Sequence, residues 1–262
     1  MRRPQALYVY VHPDERSFNR QLFIAGRAAL ERTHDVVTSD LYAMGFNPVL
    51  TRADLGEFAH VDDPFLARWA HAYAEGQLPK EVRVEQQKLL SAELVVFQFP
   101  LWWYSVPAML KGWFDRVFAS GFGFDVIDPV TGLARKYGDG VLVGKRALIS
   151  VSLGEGLRSI SPRGISGDLD SLLFGVTHGT LFYAGIEPLP LHIITDADDL
   201  GPHDVEREIR RFTDRLAGLA EEHPIPYRTM LSGDYRPGRV LREEFVPGRT
   251  DLGIHRDNAI HR

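Results

Sequence analysis

The chain has 262 residues, of which 44% are hydrophobic and 25% charged, with a formal net charge of −5. That balance excludes a disordered chain and leaves no basic footprint for nucleic acid. With no Cys at all, disulfides, thiolate nucleophiles and Cys-ligated metals are excluded, and a cytoplasmic location is expected.

The basic start Met1-Arg2-Arg3-Pro4 precedes Ala6–Val11, an apolar run too short for the hydrophobic region of a signal peptide. The run instead reads as a buried strand, β-branched and aromatic throughout. A polar loop leads to a helical pattern over Phe18–Arg32, with Leu22, Ala25, Ala29 and Leu30 near one face. Asp35–Thr38 is a short second strand and Leu94–Phe99 a third, closed by Pro100. The apolar stretch Leu94–Leu110 approaches the length of a membrane span, but Gln98, Pro100, Ser105 and Pro107 interrupt it. No transmembrane segment is expected. A helix follows Pro107, with Met109, Leu110, Trp113, Phe114 and Val117 at helical spacing. Ala147–Ser152 is a fourth strand, followed by a helix over Asp170–Leu181. Pro190–Ile194 is a fifth strand, and Val205–Glu221 a last amphipathic helix.

Strands alternating with helices imply right-handed crossovers and a parallel sheet. Five strands fit the doubly wound order 2-1-3-4-5 with helices on both faces, which places a ligand outside the carboxyl ends of the strands. Asp125–Gly144 falls outside the alternation and reads as a long loop. The segment from Pro224 to Arg262 reads as an arm lying on its own body or on a partner, so that residues 1–223 form the domain and 224–262 the tail. His255 and His261 in that tail are expected to be exposed, and no His/Asp/Glu cluster has metal spacing.

Three loops stand where such a fold binds ligands. In His12–Arg20, Ser17 and Asn19 are helix-capping residues, and a helix N-terminus suits a phosphate, with His12 and Arg16 as further donors. An ordinary capped helix explains the same residues. Pro100-Leu101-Trp102-Trp103-Tyr104-Ser105-Val106-Pro107 puts three consecutive aromatics in a proline-stiffened loop, fit to wall a pocket for a flat polar ring or to pack in a core or interface. In Ser152-Leu153-Gly154-Glu155-Gly156, the glycines let backbone approach a ligand, or make a plain turn.

At these residues the chain resembles the NAD(P)H:quinone oxidoreductases, the DT-diaphorase group of flavodoxin-like flavoproteins. The likeness is carried by His12 with Ser17-Phe18-Asn19, by Ser39–Pro48, and most strongly by Phe97–Phe118. A weaker echo runs through Gly164-Ile165 and Gly167-Asp168 to about Leu219. The resemblance implies a flavodoxin-like α/β fold and a homodimer with a flavin at each interface site, FAD first and FMN as the alternative. It implies ping-pong hydride transfer from NAD(P)H to the flavin and then to a quinone-like acceptor. His12, Phe18 and Asn19 would hold the phosphate and adenosine side. Leu101, Trp102, Trp103 and Tyr104 would wrap the flavin ring, and Ser152, Leu153, Gly154 and Glu155 would cover its pyrimidine edge. Trp103, Tyr104 and, from a partner subunit, Phe124 would line the acceptor pocket.

The chain also departs from that pattern. Ile160 and Ser166 stand where the family's eukaryotic enzymes place a Tyr and a His that balance charge on the reduced flavin. Val126 replaces a second lid aromatic, and Pro64 lies near a glutamine position beside the adenine. No catalytic residue is therefore assigned. Arg158 and Arg163, which flank Ile160, are the candidates for the missing positive charge. Rival readings are a reductase of azo, nitro or biosynthetic polyketide-quinone acceptors, a flavin-binding regulatory subunit, and an electron carrier.

Overall fold

The computed structural model describes residues 2–257. Its centre is a parallel sheet of β1 (Gln5–Tyr10), β2 (Asp35–Asp40), β3 (Leu94–Pro100) and β4 (Arg146–Ser152), with two short strands beside β4. These are β5 (Glu187–Pro188) and β6 (His192–Ile194), separated by Pro190. The order is β2-β1-β3-β4-β5, with β6 also pairing with β4, so two fragments fill the place expected of one fifth strand. Proline explains the break: Pro188 and Pro190 have no N–H to continue a ladder.

β1, β3 and β4 are buried on both faces, which is why their sequences are apolar without alternation. Leu7 and Val9 of β1 point into one layer with Val95, Phe97 and Trp113. Tyr8 and Tyr10 point into the other, with Leu22, Phe23 and Phe212.

The second layer is covered by α1 (Phe18–Leu30) and α7 (Pro202–Gly218). Gly26 lets the two helices close up, since a Cβ there would lie 2.5 Å from Phe212. Against the first layer pack α2 (Phe65–Ala74), α3 (Lys80–Ser91) and α4 (Ala108–Val117). Of these only α4 is expected from the sequence. α3 buries polar groups. Glu85 is fully buried, and its carboxylate accepts from Lys88 Nζ (2.6 Å), Ser39 Oγ (2.7 Å) and Trp113 Nε1 (2.9 Å).

The helix expected over Asp170–Leu181 is broken into α5 (Leu169–Leu172), α6 (Phe174–Val176) and a π-helical turn over Thr177–Phe182. Asp125–Gly144 is a loop, with one isolated bridge between Ile127 and Ala134. The arm folds back over α5 and α6. Tyr227 and Thr177 hydroxyls lie 2.8 Å apart, and Arg256 pairs with Asp170 at 3.0 Å. It carries a small hairpin, β7 (Tyr235–Arg236) with β8 (Val240–Leu241).

His255 is not exposed as expected. It is half-buried, stacked on His178 with ring centroids 5.5 Å apart, and its Nδ1 is 3.0 Å from the Tyr235 hydroxyl. The arm's aromatics bury one another, a pairing that its polar composition hides. His261 lies outside the described residues.

Candidate active site

The carboxyl ends of β1, β3 and β4 bring the three loops to one edge of the sheet. Leu101 N donates to Ser152 O (2.7 Å), and Leu153 N donates to Ile194 O (3.0 Å). Beneath them runs a buried polar chain. The Tyr8 hydroxyl donates to Gln98 Oε1 (2.6 Å), Gln98 Nε2 donates to Asn19 O (2.7 Å), and Asn19 Nδ2 donates to Ser152 Oγ (2.9 Å). Such a satisfied network fixes the spacing of the loops. Asn19 is thus no helix cap. It lies inside α1, and its side chain, with that of Ser152, ties the first loop to the third.

Ser17 is the N-cap of α1, its hydroxyl accepting from Arg20 N at 3.1 Å. The loop before it is drawn in by Asp14, which accepts from Arg16 N at 2.8 Å, while His12 Nδ1 accepts from Asp14 N at 3.1 Å. Those contacts, with the Arg16 amide first, hold the Asp14 carboxyl below the usual range. Phe18 is partly buried against the α1–α7 layer. Beside His12 opens a cavity of about 260 Å³ lined by Arg20, Asp40, Tyr42 and Ala43.

The second loop is a tight reversal. Trp102 and Ser105 exchange backbone hydrogen bonds at 3.1 and 3.2 Å, and the central residues Trp103 and Tyr104 have φ of 50° and 57°. Left-handed backbone at bulky aromatic residues costs about 1–3 kcal/mol each, and such strain clusters at ligand sites. Trp103 is 95% exposed, so burial does not repay that strain. Pro100 is buried at the end of β3 and Leu101 partly buried.

In the third loop Glu155 is a hub. Its carboxylate accepts from Tyr104 Oη (2.7 Å), Ser166 Oγ (2.7 Å) and Ser159 Oγ (2.9 Å). Ser166, then Tyr104 and Ser159, hold its carboxyl below the usual range. Gly154 and Gly156 lie close against acidic side chains: a Cβ at either would meet the carboxylate of Asp198 or Asp196 respectively.

Among the described residues nothing accepts from the amides of Trp103, Tyr104, Gly154, Glu155 or Gly156. Five donors without partners at the ends of β3 and β4, next to exposed aromatics, suit the polar edge of a flat heterocycle. The residues therefore fit a flavin.

Other expected residues fall elsewhere. Arg158 and Arg163 are exposed, and neither forms an ion pair among the described residues. Ile160 is buried in the core, while Ser166 meets Tyr104 both hydroxyl to hydroxyl, at 3.3 Å, and through the Glu155 carboxylate. Phe124 is not beside Trp103 and Tyr104 in one chain. It packs on Trp69 (5.8 Å between centroids) in a separate apolar cavity with Leu50, Phe114 and Tyr183. Val126 sits in the 125–144 loop, and Pro64 is the N-cap of α2. Sequence reading missed Gln98 and Tyr8, since both lie inside apolar strands. It also missed Asp196 and Asp198, although an acidic run directly after the last strand was a usable signal.

The family model for the flavodoxin-like fold matches residues 4–219. A ribosyldihydronicotinamide dehydrogenase-like protein of Penicillium crustosum is 38% identical over 260 residues, covering 96% of this chain and 95% of that protein. The NAD(P)H dehydrogenase [quinone] 1 of Rattus norvegicus is 33% identical over 245 residues, 92% of this chain and 87% of that one. A crystal structure of a candidate quinone reductase from Klebsiella pneumoniae superposes with a TM-score of 0.93 at 37% identity, covering 97% of this chain and all of the other.

Proposed function

Since this chain belongs to the flavodoxin-like-fold family, and is akin within it to the quinone dehydrogenases, we infer that it is a flavin-dependent NAD(P)H:quinone-type oxidoreductase. The observation that carries this reading is the set of five unpartnered amides at Trp103, Tyr104 and Gly154–Gly156. The flavin, when bound, supplies two-electron chemistry, accepting a hydride from NAD(P)H and passing it to a quinone-like acceptor.

The protein's part is position and electrostatics. Pro100, Leu101, Trp102, Trp103 and Tyr104 wall the ring. Gly154, Glu155 and Gly156 offer preorganised N–H groups to its pyrimidine edge, where negative charge develops on reduction, while Ser152 and Leu153, held by the sheet, set their position. His12, Ser17, Phe18 and the N-terminus of α1 take the phosphate, and Asn19 fixes the distance between the two loops. The cavity beside His12 favours FAD over FMN, because it offers a place for an adenosine moiety.

The charge on this edge is negative where the family's pattern has a Tyr and a His. Glu155, Asp196 and Asp198 crowd the glycine loop. Arg158 and Arg163, exposed and without ion pairs among the described residues, are the cations that balance it. The acceptor pocket belongs to a homodimer, with Trp103 and Tyr104 from one subunit. Phe124 serves the other subunit's site, which accounts for its separation from Trp103 within one chain. Among the described residues no helix is long and apolar enough to cross a membrane.

The test is an anaerobic visible spectrum before and after NADPH, followed by a benzoquinone and by identification of the released cofactor. Bleaching by NADPH and recovery with the quinone are expected, with FAD released. A bound flavin that neither NADPH nor NADH reduces would overturn the assignment in favour of a carrier or regulatory subunit.

A further inference from the structure

A second cavity, apart from the three loops, lies where the arm meets the body. Its volume is about 360 Å³, enough for one or two fused rings. Its walls are mostly aromatic. Phe174 stacks on His178 (4.5 Å between centroids, 18° between planes), and His178 stacks in turn on Tyr137 (4.9 Å, 27°) and His255 (5.5 Å, 28°). Burial, then the neighbouring His255, pushes the His178 pKa down to about 4. Burial, then Arg228, lowers that of His255. Near neutral pH the histidines therefore add ring surface without charge.

The charge comes from Lys136 and Arg239. Lys136 is only 7% exposed, yet its ammonium makes no hydrogen bond or ion pair among the described residues. It lies 5.6 Å from the centre of the Tyr183 ring. Burial, then Arg239, lowers its pKa, and Asp125 opposes them from beyond ion-pair distance. Arg239 stands at the tip of the β7–β8 hairpin with φ 66°, and it too has no ion pair among the described residues. The third cation of this cavity, Arg228, is already neutralised by Asp234 (2.7 Å) and Asp257 (3.4 Å). The Lys136 ammonium opens on the cavity with no anion beside it among the described residues, so a carboxylate arriving there pairs with a cation that none of them has claimed.

We propose that this cavity binds a small planar aromatic carboxylate, its carboxylate held by Lys136 and Arg239 and its rings lying among Tyr137, Phe174, His178 and His255. Recognition divides in two. The cations select charge, and the aromatic walls select a flat ring over a bare anion. Five of the lining residues, including Arg239 and His255, come from the arm, so ligand binding also fastens the arm to the body. The site does not rest on the flavin chemistry proposed above.

The test is calorimetric titration of the full-length, flavin-loaded protein at pH 7 with 2-naphthoate, with 2-naphthol as its neutral counterpart and inorganic phosphate as the bare anion. Arg239→Ala, at an exposed hairpin tip, tests the charge without disturbing the core. Lys136→Met removes the second cation, and Lys136→Arg should retain part of the binding. One naphthoate per chain is expected, weakened tenfold or more by Arg239→Ala and by Lys136→Met, with 2-naphthol at least tenfold weaker than naphthoate. The visible flavin bands are expected to stay unchanged on binding. Absence of naphthoate binding, an affinity that neither substitution alters, or equal binding of 2-naphthol would overturn the proposal. Phosphate competing as well as naphthoate would overturn it in favour of a plain anion site. Naphthoate that perturbs the flavin bands and persists in both variants would place the ligand on the flavin instead.

Discussion

The body buries two apolar layers on the faces of its sheet, one holding Phe97, Trp113 and Phe122, the other Tyr8, Leu148 and Phe212. The arm beyond it contributes Ile225 and Tyr227 to a small cluster with Phe182. To those ring contacts it adds charge, with Arg228 between Asp234 and Asp257 and Arg256 on Asp170. Apolar burial persists at any ionic strength, whereas the more exposed Arg256–Asp170 pair is screened by salt and the largely buried Arg228 pairs less so. The two regions should therefore come apart under different conditions.

The largest effect is expected in the body. Gly112 of α4 lies against the Pro48 carbonyl, where a side chain has no room. Gly112→Val should lower global stability by about 3 kcal/mol at any pH, read from denaturant midpoints. A second body residue brings in acid. His192 is 1% exposed, neither ring nitrogen has a partner, and burial, aided by Arg211 and Arg215, pushes its pKa down to about 3. As pH falls, the unfolded chain takes up this proton first, so stability declines from about pH 6.5 towards pH 3. The loss at pH 5 is about 2 kcal/mol. His192→Phe should flatten that decline between pH 7 and pH 5, and an unchanged slope would locate the acid sensitivity elsewhere.

Arg228→Met should cost about 1–2 kcal/mol, and only in the arm. Limited proteolysis within residues 229–257 should accelerate while the body's denaturant midpoint stays put. Loss of both together would break the division drawn here. Trp103→Gly should act in the opposite direction. Relieving the left-handed backbone should stabilise the protein by about 1 kcal/mol, while flavin affinity and quinone turnover fall because a wall of the ring pocket is gone. Smallest of all, Arg249→Ala breaks an exposed pair with Asp251 and should leave the denaturant midpoint unmoved.

Sequence made β1, β3 and β4 legible because strands buried on both faces read as unbroken apolar runs. α1, α4 and α7 were legible from their stripes. α3 was not, because the face it buries includes Glu85 and Gln86, and hydrophobic periodicity cannot see a carboxylate paired with Lys88 and hydrogen-bonded by Trp113. The loops of the site could be found as Trp102–Tyr104 and Gly154–Gly156. Their strain, their unpartnered amides and the Glu155 hub could not, since each depends on contacts such as Tyr104 with Glu155, 51 residues apart. The arm was misread at His255 for the same reason, its partner His178 being distant in sequence.

The broken fifth strand has a consequence for how these molecules meet. Strand edges are templates on which another strand can add and aggregation can begin. Here one margin of the sheet is two short pieces around Pro188 and Pro190, which lack the donors a newcomer would need. The opposite margin, β2, begins and ends on carboxylates, Asp35 and Asp40. Neither side invites lateral growth, so at high concentration these molecules should stay in solution, meeting one another through helices and loops rather than by lengthening a common sheet.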